Sequence, residues 1–269
     1  MRKWTIAAAL AIVSVVAGPG VGTAAAAPLP SSVAALGDSI TQAVDVCCWY
    51  GNHPADSWST GGASWDGVSS HYERIRAASP AVVAYNDAVS GARMSDAPRQ
   101  ASRAISRGAG YVTILMGAND LCTSSTAAMT SVETFRRQFH DTLATLQSGA
   151  PSARVFVASI PNVYHLWELY RYDLVAQSVW AAAGICQSLL SLSNSSAQRD
   201  AVRSRNVAFN TVLAQECGEF ANCKFDGNAV FDYPFDRSQV SKLDYFHPSL
   251  SGQAALASIT WAASWWGTA

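Results

Sequence analysis

The chain of 269 residues is 49% hydrophobic and 14% charged, with a formal net charge of −1. It holds no run or stripe of Lys and Arg. That excludes nucleic acid as a partner, because phosphate binding needs clustered positive charge.

Taken from the N-terminus, Arg2 and Lys3 precede an uncharged apolar run, Trp4 to Val16. Gly18-Pro19-Gly20 breaks the run, and an alanine tract leads to Ala26-Ala27-Pro28. This is the layout of a secretory signal peptide. Cleavage is expected after Ala26, since a proline directly after the cut is unfavourable. The apolar run is shorter than the ~20 residues of a membrane-spanning helix, and the rest of the chain holds no spanning candidate. Residues 1–26 are read as the signal peptide and 27–269 as one exported, extracellular domain, long enough for a single α/β core. Losing Arg2 and Lys3 leaves 16 basic residues against 19 acidic ones, a net charge of −3.

The domain then alternates between two patterns. Short apolar runs at Val33–Leu36, Ala81–Tyr85, Tyr111–Met116, Arg154–Ile160 and Ala229–Asp232 predict strands. Most are nearly continuous, as strands buried on both faces of a parallel sheet are. Helical spacing fills 67–78, 96–107, 129–148, 197–216 and 249–265. In 129–148, for example, Val132, Phe135, Phe139, Leu143 and Leu146 recur every three or four residues. Alternating strands and helices predict right-handed crossovers and a three-layer α/β/α sandwich around a five-stranded parallel sheet. Residues 161–196 fit no strand and hold Tyr164, Trp167, Tyr170, Tyr172 and Trp180. Most such aromatics pack in a core; as a group they predict an insertion after the fourth strand, with Trp167 and Trp180 lining an acyl groove.

In an open parallel sheet, ligands bind beyond the carboxyl ends of the strands. Four groups of residues fall at such ends or near the C-terminus: "GDSI" with Ser39, "NDAVSGA" with Gly91, "MGAND" with Asn119, and "DYFHP" with Asp244 and His247. Alone, each has a plain explanation, since Ser39 or Asn119 caps a helix and Gly91 serves a turn. In order, over nearly the whole domain, they resemble the SGNH, or GDSL, hydrolase family. The shared cysteine positions and "SWSTGG" (residues 57–62) bring the chain nearest to secreted bacterial GDSL lipases, esterases and phospholipases. The first group carries Ile40 where leucine is common, a change that keeps its apolar character.

The resemblance implies the flavodoxin-like fold of that family and a catalytic set of Ser39, His247 and Asp244, with Gly91 and Asn119 binding the oxyanion. Each residue type suits its task. Ser39, at the start of a following helix, offers a hydroxyl, and His247 takes its proton and returns it to the leaving alcohol. Asp244 fixes the imidazole tautomer, a task that some relatives leave to a backbone carbonyl. Gly91 allows close backbone approach, and Asn119 supplies an amide donor. Asp38 is expected to hydrogen-bond neighbouring turns. His53, His71, His140 and His165 are read as surface or packing residues. No G-x-S-x-G occurs, against the elbow of α/β-hydrolases. The implied activity is hydrolysis of lipid or acyl esters by a monomer without cofactor. A carbohydrate acetylesterase, which the same residues would serve, and a non-catalytic binding protein on the same fold stay open.

Six cysteines remain in the domain: Cys47, Cys48, Cys122, Cys186, Cys217 and Cys223. An even number in an exported chain predicts disulfides. Neither C-x-x-C nor H-E-x-x-H occurs, so no metal site is expected. The resemblance implies bridges Cys122–Cys186 and Cys217–Cys223. In relatives several residues separate the first pair, whereas here Cys47 and Cys48 are adjacent, so they bond to each other or each reaches a distant partner.

Overall fold

A computed structural model describes Met1 and residues 27–267. Residues 2–26 of the expected signal peptide lie outside the described residues. Apolar runs at the predicted positions become parallel strands: β1 (Ser32–Gly37), β2 (Val83–Asn86), β3 (Tyr111–Leu115) and β4 (Arg154–Val157), with β5 at Cys223–Phe225. The sheet order is β2-β1-β3-β4-β5. β1 and β3 are buried along their whole length, which is why their sequences lack polar alternation.

The helices are α1 (His71–Ala78), α2 (Ala97–Ser106), α3 (Ala118–Leu121), α4 (Val132–Gly149), α5 (Val163–Tyr170), α6 (Leu174–Ala183), α7 (Gln187–Leu190), α8 (Ser196–Gly218), α9 (Ala229–Asp232) and α10 (Leu250–Ala263). Several starts are written locally. Ser70 with Glu73, and Ser195 with Gln198, form reciprocal capping boxes, and Ser131 and Ser249 accept amide hydrogens from Thr134 and Gly252. One helical layer joins α2, α4 and α8, with Phe135 stacked on Phe209 at 3.9 Å. On the other face α1 meets α10. There the imidazole of His71, wholly buried, lies between Tyr111 Oη (2.9 Å) and Thr260 Oγ1 (2.8 Å). Burial lowers its pKa to about 3, so this histidine is a neutral packing residue, as expected.

The fifth strand lies elsewhere than the apolar pattern predicted. Ala229–Asp232 is the short helix α9, because side chains, not a neighbouring strand, satisfy its backbone donors. The Asp226 carboxylate accepts from the amides of Asn228 (2.9 Å) and Val230 (3.1 Å), and Ser159 Oγ accepts from Phe231 (2.9 Å). Asn228, with φ 69°, turns the chain into that helix. The actual β5, "CKF", is a half-buried edge strand of three residues, too short and too polar to show as an apolar run. The region 161–196 contains α5, α6 and α7.

Two disulfides form, Cys122–Cys186 between α3 and the start of α7, and Cys217–Cys223 from α8 to β5. Cys47 and Cys48 form no bridge to a distant cysteine; their sulfurs face each other 2.6 Å apart, which leaves the vicinal pair as the pairing to test. Among the described residues no helix is long and apolar enough to cross a membrane. Alkylating the denatured, unreduced protein should leave Cys122, Cys186, Cys217 and Cys223 unmodified; peptide mapping that finds any of those four alkylated would contradict the structure, and the same map shows whether Cys47 and Cys48 are bonded to each other.

Candidate active site

The site begins where β1 ends. A Cβ on Gly37 would lie 2.4 Å from Thr41 Oγ1 and 2.8 Å from the Leu115 carbonyl oxygen, so only glycine allows the chain to turn so tightly here. Asp38 is buried, and its carboxylate accepts from the Ile40 amide at 2.9 Å, the turn-bonding role expected of it. Burial raises its pKa to about 7, against the lowering effects of that hydrogen bond and of the His247 charge. Ser39 follows. No regular helix starts there, contrary to expectation: the amides of Gln42 and Val44 reach the carbonyls of Asp38 (3.1 Å) and Ser39 (3.0 Å). Left-handed residues at Ala43 (φ 50°) and Asp45 (φ 53°) then end the coil.

Two buried glutamines hold this turn from opposite layers. From α2, Gln100 accepts from the Gly37 amide (2.8 Å) and donates to the Gly37 carbonyl (2.9 Å). From α10, Gln253 donates to the Ile40 carbonyl (2.8 Å) and accepts from the Trp58 amide (2.9 Å). The sequence reading missed both. Their signal is a glutamine on an otherwise apolar helical face, where a buried amide must find partners.

The loop before α10 brings His247 across the serine. His247 Nε2 is 2.8 Å from Ser39 Oγ, and Nδ1 is hydrogen-bonded to the Asp244 carboxylate. The other Asp244 oxygen accepts from the amides of Phe246 (2.9 Å) and His247 (3.1 Å). Burial opposes ionisation of Asp244. The hydrogen bond from His247, its positive charge and the two amides outweigh that and hold the carboxyl below its ordinary range. An ionised Asp244 keeps the proton on Nδ1 and leaves the Nε2 lone pair facing the serine hydroxyl.

Gly91 and Asn119 arrive from the ends of β2 and β3. Gly91 has φ 81°, a conformation that favours glycine. Asn119 donates one amide hydrogen to the Ala92 carbonyl (3.0 Å), which orients the side chain and leaves its second hydrogen free. Asp120 couples the two loops by accepting from the Met94 amide (2.9 Å) and Thr130 Oγ1 (2.7 Å). The structure thus brings all five candidate residues to the carboxyl edge of one sheet.

Beside His247 lies an apolar cavity of about 70 Å³, with Ile40, Val163, Leu166, Leu169, Phe235 and Phe246 in its wall. The region after β4 supplies this wall, but not through the expected tryptophans. Helical phase points Leu166 and Leu169 into the cavity, while Tyr164 and Trp167 face the guanidiniums of Arg203 and Arg199 of α8. Trp180 is buried and donates to the Tyr245 carbonyl at 3.0 Å, so it supports the histidine loop.

A parallel α/β/α sandwich with a Ser–His–Asp line at its strand ends is the architecture of a serine hydrolase. The family model for GDSL-like lipase/acylhydrolase matches residues 33–259, and the chain belongs to that family, whose name implies ester hydrolysis. Among solved structures it is similar to a protein of Parabacteroides merdae called a GDSL-like lipase (18% identity, TM-score 0.53, 86% of this chain and 94% of the other). It is similar also to an extracellular lipase from Streptomyces rimosus (18%, 0.51, 87% and 100%). A family 3 carbohydrate esterase from Clostridium thermocellum is a third (13%, 0.50, 86% and 92%). At these identities the likeness is one of fold. No curated protein matches the chain.

Replacing Gln253 by Leu leaves the Trp58 amide buried without a partner, at a cost of about 1–3 kcal/mol, while the Ile40 carbonyl keeps the Ala43 amide (3.1 Å). Urea unfolding of Gln253→Leu should show a loss of that order, and an unchanged midpoint would remove Gln253 from its supporting role.

Proposed function

We propose that the protein is a secreted carboxylic-ester hydrolase of lipid or acyl esters that works through an acyl-enzyme on Ser39. Ser39 Oγ attacks the ester carbonyl while its proton passes to His247 Nε2. The carbonyl oxygen becomes an oxyanion, for which the amides of Ser39 and Gly91 and the free hydrogen of Asn119 are the donors. His247 then gives its proton to the departing alcohol. Water repeats the sequence on the acyl-enzyme and releases the acid. Asp244 stabilises the imidazolium in both halves.

The observation that carries the lipid reading is the apolar cavity in contact with His247. Its aliphatic and aromatic wall suits an acyl chain, whereas a sugar needs several polar partners. Export rests on the leader-like layout of residues 1–26.

Ser39→Ala should abolish hydrolysis of p-nitrophenyl esters and labelling by a fluorophosphonate while the fold persists; retained activity would end the assignment. Because Asp244 is held ionised below the ordinary carboxylate range, kcat/KM should rise with pH as the base loses its proton. A profile flat from acid to neutral pH would remove His247 as the base. Phosphatidylcholine vesicles and acylglycerols should be cleaved in preference to acetylated xylan, and the reverse preference would identify a carbohydrate esterase. Leu169→Trp, which fills the cavity, should slow decanoate esters about tenfold or more relative to acetate esters. Equal loss on both would separate the cavity from acyl binding.

A further inference from the structure

One titratable group at the site has no part in the mechanism above. Asp45 is about nine-tenths buried and adopts a left-handed φ of 53°, a conformation that costs free energy unless its surroundings enforce it. The enforcing contacts are specific. Its amide donates to the Gly51 carbonyl (2.9 Å), and its Oδ1 accepts from the Gly51 amide (2.6 Å), closing the 45–51 loop on itself. Its carbonyl accepts from Ser241 Oγ, and Tyr50 Oη donates to the Leu243 carbonyl (3.2 Å). The loop is therefore clasped to the segment that carries Asp244 and His247. Across the clasp Tyr245 is also left-handed, with φ 56°.

These contacts aim a carboxylate at the triad. A carboxylate oxygen of Asp45, one of Asp244 and a ring nitrogen of His247 all lie within 4.8 Å of one another. We propose that Asp45 is a positioning residue acting through Asp244, its carboxylate adding a second negative charge behind the His247 imidazole and so increasing the basicity of that base. The inference rests on the hydrolase reading of the site.

The charged groups facing Asp45 are Asp244 and His247, both from the 241–247 loop; its other partner, Gly51, is uncharged. Burial, with the charge and side-chain hydrogen bond of Asp244, raises the Asp45 pKa above its ordinary value, against the lowering effects of the Gly51 amide and the His247 charge. That last effect is reciprocal: whatever the imidazolium does for the Asp45 carboxylate, the carboxylate does for the imidazolium. Asp38 is the further carboxyl that interacts electrostatically with His247. It stays unchanged in the test below.

Asp45→Asn isolates the charge. Asparagine tolerates left-handed φ, keeps an oxygen for the Gly51 amide and leaves the backbone bond to Ser241 intact. Removing a nearby negative charge makes the imidazolium less stable. The acid limb of kcat/KM for p-nitrophenyl butyrate should therefore move to lower pH by about half a unit or more. Plateau kcat should fall about three- to tenfold, with KM unchanged. Asp45→Ser, a second neutral variant, should move the limb the same way, and Asp45→Glu should hold it near the wild-type position. Superimposable profiles for wild type and both neutral variants overturn the inference. So does a lower plateau with an unmoved limb, the mark of a structural role alone. Wild-type activity lost to EDTA and restored by a divalent cation would make the trio a metal site and overturn it too. A wild type that neither cleaves the ester nor takes a fluorophosphonate on Ser39 overturns the hydrolase reading and this inference with it. An active wild type with an unmoved limb overturns the inference alone.

Discussion

The structure depends on one hydrogen bond, 2.8 Å long, between Ser39 and His247, residues 208 apart in the chain. Its two ends come from different elements, a turn after β1 and a loop before the last helix. Neither is regular structure, so neither is stiffened by a helical or sheet ladder of its own. Stiffness comes from buried amides. Gln100 reads the backbone of Gly37 from one layer and Gln253 reads that of Ile40 from the other, so a shift of either helix displaces the serine. A site held this way keeps its geometry through the packing of the whole sandwich, which is how reacting groups stay within the narrow tolerances that catalysis needs.

Charge is arranged around that bond with equal economy. Asp38, Asp45 and Asp244 surround a single histidine, and burial acts on each of them in the direction of the neutral form. Asp244 alone is driven below the ordinary carboxylate range, because it alone combines the imidazole with two backbone amides. Its neighbours carry fewer compensating donors, and one oxygen of Asp38 has no hydrogen-bond partner. Carboxyls a few ångströms apart thus differ in protonation behaviour according to how many N–H groups each accepts.

The 161–196 region serves two ends of the site. Leu166 and Leu169 of α5 wall the cavity beside His247, while Trp180 of α6 bonds to the Tyr245 carbonyl next to the base. The Cys122–Cys186 bridge ties the end of this region to α3, the helix that carries Asn119. The apolar cavity, His247 and Asn119 are therefore mechanically joined.

Much of this was legible from the residues themselves. Continuous apolar runs marked four strands because a strand buried on both faces has no solvated side to alternate with. The four motif groups stood out because turn chemistry at strand ends is local: glycine for a tight turn, serine and asparagine for short-range hydrogen bonds. What escaped was set by contacts remote in the chain. Ala229–Asp232 reads as a strand until Asp226 and Ser159 claim its amides, and the real edge strand, "CKF", is too short to carry a pattern. Gln100, Gln253 and Asp45 look like ordinary polar residues until the fold buries them, because a polar group has a specific duty only once water is gone and its partners are fixed. Tryptophan composition suggested an acyl wall, yet the phase of α5 turned its leucines inward instead. Residue chemistry by itself determined the family, four of the five strands and the candidate residues at their ends; which side chains support and enclose those residues was decided by tertiary packing, since burial and long-range contact exist only in the folded chain.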